Sequence, residues 1–300
     1  MNYNKITNDK QRLIDIIRKI KTNTGDVMDK YSRNQRVTGI TKILTENPNK
    51  TINLKKFTEL FNAAKSTISE DIVIVRETLN ELSMGRVETV AGAAGGVKYI
   101  CGISNIESGI FADGLCEILT QKDRIIPGNF IYMTDIMYNP EIVHKAGIIL
   151  ASAFNELNID YVVTVETKGI PLAYEVAKML GVQLVIVRRD TKVTEGSTVS
   201  INYISGSSDR IQTMSLSKKS IKKGSNCIFI DDFMKAGGTA RGIINLLKEF
   251  ESEVLGIGVL IDNIEHEHKL IDDYISIIKF KGVSKEGKPQ LISSKITKKA

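Results

Sequence analysis

One stretch limits the possible folds more than any other: Cys227-Ile-Phe-Ile-Asp231-Asp232-Phe-Met-Lys235-Ala-Gly237-Gly238-Thr239. A strand-sized apolar run delivers two adjacent carboxylates, a short loop carries two glycines, and a helical pattern opens at Ala240. Apolar strand, tight loop and helix in that order predict a parallel sheet covered on both faces. The loop is built for an anion. Gly237 and Gly238 let backbone N–H groups turn toward one point, and the following helix adds its positive end. Lys235 adds formal charge and Thr239 a hydroxyl. Asp231 and Asp232, one strand-end away, are acceptors suited to the two hydroxyls of a ribose.

Strand–helix alternation continues on both sides. Tyr161–Val165 and Val182–Val187 read as buried strands, Ile142–Phe154 and Leu172–Leu180 as helices, with Gly181 ending the second. Ala240–Phe250 reads as a helix and Val254–Ile261 as a strand. Ser197–Ile204 and Arg210–Ser217 flank Ser205-Gly-Ser-Ser208, a two-stranded flap. A second loop, Val165-Glu-Thr-Lys-Gly-Ile-Pro171, also follows a strand and precedes a helix; by its residues alone it is an ordinary strand-to-helix turn. Arg188-Arg189-Asp190 ends the next strand, where Arg189 can add charge; a solvated strand end is the alternative.

The first third has another grammar. Val37, Ile40, Ile43 and Leu44 line one helix, and Asn53 caps a second through Leu54, Phe57, Leu60 and Phe61. A link of only a few residues leads to a third helix with the stripe Ile68, Ile72, Val75 and Leu79, opened by a Thr67–Glu70 capping box. Arg86–Val90, a glycine-rich tip and Val97–Ile100 then form a hairpin. Three helices and a glycine-tipped hairpin predict a winged helix-turn-helix. Lys65, Ser66, Thr67 and Ser69 at the start of the third helix would face the major groove. Arg36, Lys42, Lys55 and Lys56 would hold the DNA backbone, and Arg86, Gly95, Gly96 and Lys98 of the wing an adjacent phosphate or groove. Glu70 and Asp71 would repel phosphates unless they face away.

Charge supports the division. The net charge of the 300 residues is +6, and all of the excess lies in residues 1–100. A basic third on a neutral body suggests a polyanion partner. No apolar run approaches the roughly 20 residues of a membrane span, and the polar N-terminus is no signal peptide. Cys101, Cys116 and Cys227 fit no metal template, so a reducing cytoplasm without disulfides is expected. His266-x-His268 has no Cys or third His nearby in sequence and reads as a solvated acidic-basic turn.

The Asp-Asp…Gly-Gly-Thr order resembles the fingerprint of type I phosphoribosyltransferases, which bind phosphoribosyl pyrophosphate. Two positions depart from the enzymes' pattern: Lys235 stands where a small residue is common and Ala236 where threonine is common, which keeps phosphate binding and weakens catalysis. With the winged unit in front, the chain resembles one family closely, the purine-operon repressors of Gram-positive bacteria. The stretches Ala64–Asp71, Val90–Ile100, Pro127–Asp135, Thr167–Tyr174, Val193–Tyr203 and Ile230–Thr239 carry the resemblance in order.

Residues 1–30 form an N-terminal extension longer than the family's, in which Leu13, Ile16, Ile17 and Ile20 recur at helical spacing and predict a short helix. For the rest the resemblance implies a winged-helix DNA-binding domain over 31–101 and a phosphoribosyltransferase-like α/β domain over 102–300. It implies a homodimeric repressor of purine synthesis genes on double-stranded operator DNA, without catalytic activity. Phosphoribosyl pyrophosphate would be the inducer, carrying Mg²⁺ on its pyrophosphate rather than on a protein metal site. Guanosine tetraphosphate would compete there as co-repressor. The effector site would comprise Asp231, Asp232, Phe233, Met234, Lys235, Ala236, Gly237, Gly238, Thr239, Thr167, Lys168, Gly169, Arg189 and Tyr132. An active purine or orotate phosphoribosyltransferase with an accessory domain is the alternative.

Overall fold

The computed structural model describes residues 30–92, 94–121, 124–127, 130–190, 196–205, 210–265, 268–294 and 296. The expected helix within 1–30, the flap tip and His266 lie outside the described residues.

Helices α1 (Arg33–Thr45), α2 (Leu54–Phe61) and α3 (Lys65–Glu81) precede the hairpin β1 (Arg86–Val90) and β2 (Gly96–Ile100). Ser32 and Gln35 close a capping box at the start of α1, and the Asn53 side chain caps α2. Asn62, with φ 47°, makes the tight turn into α3. Ile40, Leu44, Phe57, Ile68, Ile72, Val75 and Leu79 form the buried centre. The Thr67–Glu70 capping box does not form. Helix α3 begins earlier, with Ala64 as N-cap and no side-chain cap bond. Thr67 therefore lies inside the first turn, and the Glu70 carboxylate pairs with Arg33 at 3.2 Å instead.

After Cys101 the chain enters the body through α4 (Asn105–Leu119), capped by Ser104 with Glu107. A small hairpin, β3 (Ile125–Ile126) and β4 (Phe130–Ile131), and the single turn α5 (Thr134–Met137) lead to α6 (Pro140–Phe154). Then come β5 (Tyr161–Val165), α7 (Ile170–Leu180), β6 (Gln183–Val187), the flap strands β7 (Thr198–Ser205) and β8 (Arg210–Ser217), β9 (Asn226–Met234), α8 (Gly238–Lys248), β10 (Glu253–Asn263), β11 (Ile275–Val283) and β12 (Pro289–Ser293). The six-stranded sheet has the order β12-β11-β10-β9-β5-β6. Its pairings are parallel except at the β11–β12 edge.

Alternation along the strands divides the core. Val162, Ile228 and Ile230 face α6 and α7, in a cluster continuous with the winged unit. Val163, Val165, Phe229 and Val259 face α8 and the flap. The strand order reverses between β5 and β9, since each is followed by a helix and a strand on opposite sides. In open α/β sheets that switch point, at the carboxyl ends of the strands, is where ligands bind.

Candidate functional site

The loops leaving β5 and β9 meet at this switch point and line a cleft of about 750 Å³. All nine residues from Asp231 to Thr239 line it, together with Thr167, Lys168 and Arg189. Gly237 is the N-cap of α8 at φ 81°, a left-handed conformation open to glycine, and no side chain caps that helix. The first-turn N–H groups are thus left for an anion, backed by a helix end worth about half a positive charge. Thr167, Lys168 and Arg189 are exposed and face the cleft. Glu166 organises the opposite wall: it takes a 3.0 Å ion pair from Arg188 and accepts from the Arg189 N–H at 2.7 Å. The Glu166–Thr167 peptide is cis.

Asp231 accepts from the Asp232 N–H at 2.9 Å. Burial and the neighbouring Asp232 charge push the Asp231 carboxyl well above the usual carboxylate range, and the Arg189 charge works against that rise. Ligand hydroxyls, or a cation brought by the ligand, would relieve the repulsion of this pair. The flap contributes Tyr203, whose hydroxyl donates to Gln212 at 2.8 Å. Burial raises its pKa, and the hydrogen bond to Thr239 and the Arg189 charge act against burial. From the far side the Leu270 N–H donates to the Ala236 carbonyl at 3.0 Å and pins the loop.

Two expected cleft residues are placed elsewhere. Tyr132 is 43% exposed and does not line the cleft. Phe130, Ile131 and Met133 of the same stretch line it instead. Gly169 lies beneath the loop. A Cβ there would stand 2.7 Å from Asp231 Oδ1 and 2.8 Å from Thr164 Oγ1, so its role is close packing. The cleft also has a half that the motifs do not announce. Ile126, Phe130, Ile131, Met133 and Phe280 form an apolar wall beside Asn263 and Glu265. The carboxyl-end rule for parallel sheets could have singled out Asn263, at the end of the strand next to β9.

The DNA-facing set also divides. Lys65, Ser66 and Ser69 are exposed and Thr67 is half-buried at the start of α3. Arg36 is corrected: it is 7% exposed and its guanidinium grips both oxygens of Asp71, at 2.6 and 3.2 Å. Its charge is spent inside the winged unit, and by the same pairing Asp71 is turned away from any phosphate. Arg86 is engaged by Glu88 and Glu156, each at 2.8 Å, and so fastens the wing to the body. Gly95 and Gly96 are packing positions: a Cβ would lie 2.4 Å from the Val90 carbonyl and 2.1 Å from that of Ile52, respectively. Lys98 stays partly exposed, 3.9 Å from Glu88.

Comparison with known proteins agrees with this anatomy. Residues 32–101 match the model for the bacterial purine repressor N-terminal domain, and residues 133–288 the phosphoribosyl transferase domain. The chain is 51% identical over 249 residues to the purine biosynthesis transcriptional repressor PurR of Bacillus subtilis (strain 168), spanning 83% of this chain and 87% of that protein. It is 42% identical over 247 residues, 82% of this chain and 91% of the relative, to the purine biosynthesis transcriptional activator PurR of Lactococcus lactis subsp. lactis (strain IL1403). An adenine phosphoribosyltransferase of Clostridium botulinum (strain Eklund 17B / Type B) is 31% identical over 172 residues, 54% of this chain and 98% of the enzyme. A winged unit on a phosphoribosyltransferase-fold body, matched along most of its length, places this chain in the bacterial purine repressor family.

Proposed function

We propose that this chain is a DNA-binding repressor of purine biosynthesis genes whose cleft takes phosphoribosyl pyrophosphate as an inducer rather than a substrate. The observation that carries the reading is the joining of exposed Lys65, Ser66 and Ser69 at the start of α3 to a cleft lined by Lys168, Arg189, Lys235 and Gly237–Thr239. The α8 end takes the phosphate monoester, Asp231 and Asp232 take the ribose hydroxyls, and Thr167, Lys168 and Arg189 take the pyrophosphate with its Mg²⁺. Guanosine tetraphosphate, also a polyphosphate, competes for the same cations and lays its base on the apolar wall. Release of DNA requires that the inducer bind the DNA-free state better, since only differential affinity shifts an equilibrium.

A homodimer would place two α3 helices on half-sites about one helical turn apart. The protein acts in the cytoplasm, where both ligands are available; no helix among the described residues is long and apolar enough to cross a membrane. One relative is named an activator, so reporter genes at bound promoters decide the sign of regulation. Repression is expected here.

Lys235 and Ala236, in place of the residues common in the enzymes, argue against turnover. Incubation with Mg²⁺, phosphoribosyl pyrophosphate and each purine base or orotate should yield no nucleotide. Turnover at about 1–10³ s⁻¹ would make the protein a transferase. For DNA, Lys65→Ala should weaken binding and lower the slope of log K against log salt by about 0.9, one phosphate contact. An unchanged slope would assign Lys65 to a base edge or to solvent.

A further inference from the structure

The cleft and the winged unit lie at opposite ends of one helix. Helix α7 starts at the Thr167–Gly169 loop and runs 11 residues, about 16 Å at 1.5 Å per residue. Leu172, Ala173, Val176, Ala177, Met179 and Leu180 bury it on several sides, and a Cβ at Gly147 of α6 would lie 2.6 Å from Glu175 Cβ. A helix so enclosed moves as a rod.

Its far end abuts the winged unit. The Asn49 side-chain amide donates to the Met179 carbonyl at 3.0 Å, across 130 positions of sequence. Gly181, at φ 69°, comes so near Pro48 that a Cβ would meet that carbonyl at 2.6 Å. Asn49 is itself tied to the wing: its N–H donates to the Tyr99 carbonyl at 2.7 Å, and Ile52 and Val97 exchange both backbone bonds. The turn between α1 and α2 therefore touches α7, the wing and the start of α2 at once. A second joint lies at the end of α6, where the Asn155 amide donates to the Cys101 carbonyl at 2.8 Å and Glu156 pairs with Arg86 at 2.8 Å. That joint belongs to a helix that does not begin in the loop leaving β5.

We propose that α7 is the strut that couples the cleft to the DNA surface, with Asn49 as its contact on the winged unit and the Asn155–Cys101 and Glu156–Arg86 joint as its pivot. The proposal rests on the effector reading above. Pyrophosphate seated on Thr167 and Lys168 displaces the upper end of α7 along its axis. Met179 and Gly181 then push the 46–53 turn, and the winged unit rotates about the pivot.

Two arms test it. Asn49→Ala should leave the affinity for phosphoribosyl pyrophosphate with Mg²⁺, and effector-free affinity for DNA, within roughly threefold. The factor by which effector weakens DNA binding should fall at least about fivefold. An unchanged factor overturns the strut, as does loss of effector-free DNA binding, which would make Asn49 simply structural. The second arm needs no ligand. Gly169→Ala forces a Cβ against Asp231 Oδ1 and Thr164 Oγ1, so the upper end of α7 must shift. Amide exchange at Asn49 and Ile52 should change at least about threefold, while Gly114→Ala, with nothing within 4 Å of its Cβ, leaves both unchanged. Exchange altered around 164–172 and unaltered at 47–53 overturns the strut. If DNA binding by the unmodified protein ignores the effector, the effector reading fails, and the strut is decided by Gly169→Ala alone.

Discussion

Replacing Asp231 and Asp232 together with alanine is expected to abolish inducer-driven release of DNA while leaving operator binding intact. In the unmodified protein, saturating phosphoribosyl pyrophosphate should weaken operator binding by about tenfold to a hundredfold, the usual range of coupling between two sites. Without the two carboxylates the ribose hydroxyls lose their acceptors and the factor should fall below about twofold. Fluorescence anisotropy on a labelled duplex, with and without effector, measures both quantities. Collapse of DNA binding itself would show that the pair serves the fold. The single variant Asp231→Asn adds a thermodynamic signature. The Asp231 carboxyl is held well above its ordinary value by burial and by Asp232, so the folded state binds its proton more tightly than the unfolded chain does. This contribution to stability is present at low pH and is lost as pH rises from the ordinary carboxylate range through the raised value. Asp231→Asn removes that loss, so the variant should melt above the native protein at neutral pH while binding the inducer less well. A lower melting temperature would mean that the charge is stabilised where it lies.

The second large effect is on the winged unit. Asp71→Ala strands the Arg36 guanidinium, which is 7% exposed, and breaking a buried pair by removing one partner costs about 3 kcal/mol. In a unit of three short helices and a hairpin this is a large share of the stability, so DNA binding should be lost together with helical content. Arg36→Met combined with Asp71→Leu replaces the pair by apolar groups and should restore the fold, with an unchanged salt slope of DNA binding. A slope reduced by about 0.9 in the double variant would put Arg36 back on a phosphate.

That pair also marks where sequence reading stops. The stripe Ile68, Ile72, Val75, Leu79 and the apolar runs of β5 and β9 announce themselves because burial repeats with the period of the element. A cation on an amphipathic helix reads as solvated, and its partner Asp71 lies 35 positions away; nothing local couples them. Tyr132 failed differently. A motif resemblance brings the right stretch to the cleft, but the packing of the β3–β4 hairpin decides which side chains arrive, and here Phe130, Ile131 and Met133 do. The Asp231–Thr239 loop was legible since strand, loop and helix supply its geometry within one short segment. The apolar wall was not, because Ile126, Phe130 and Phe280 look like core until the cleft is seen. The joints between the two units, Asn49 with Met179 and Arg86 with Glu156, are made across 130 and 70 positions by residue types that any loop contains.

The most direct test of the account is a titration. The full chain is bound to a duplex selected by the protein itself from genomic fragments. Phosphoribosyl pyrophosphate is then added with Mg²⁺ at constant ionic strength, since salt alone shifts such binding. The account predicts saturable release of DNA, at concentrations matching the effector dissociation constant from calorimetry, with none from equimolar inorganic pyrophosphate or ribose 5-phosphate. Effector binding in the calorimeter without any change in DNA affinity would contradict it.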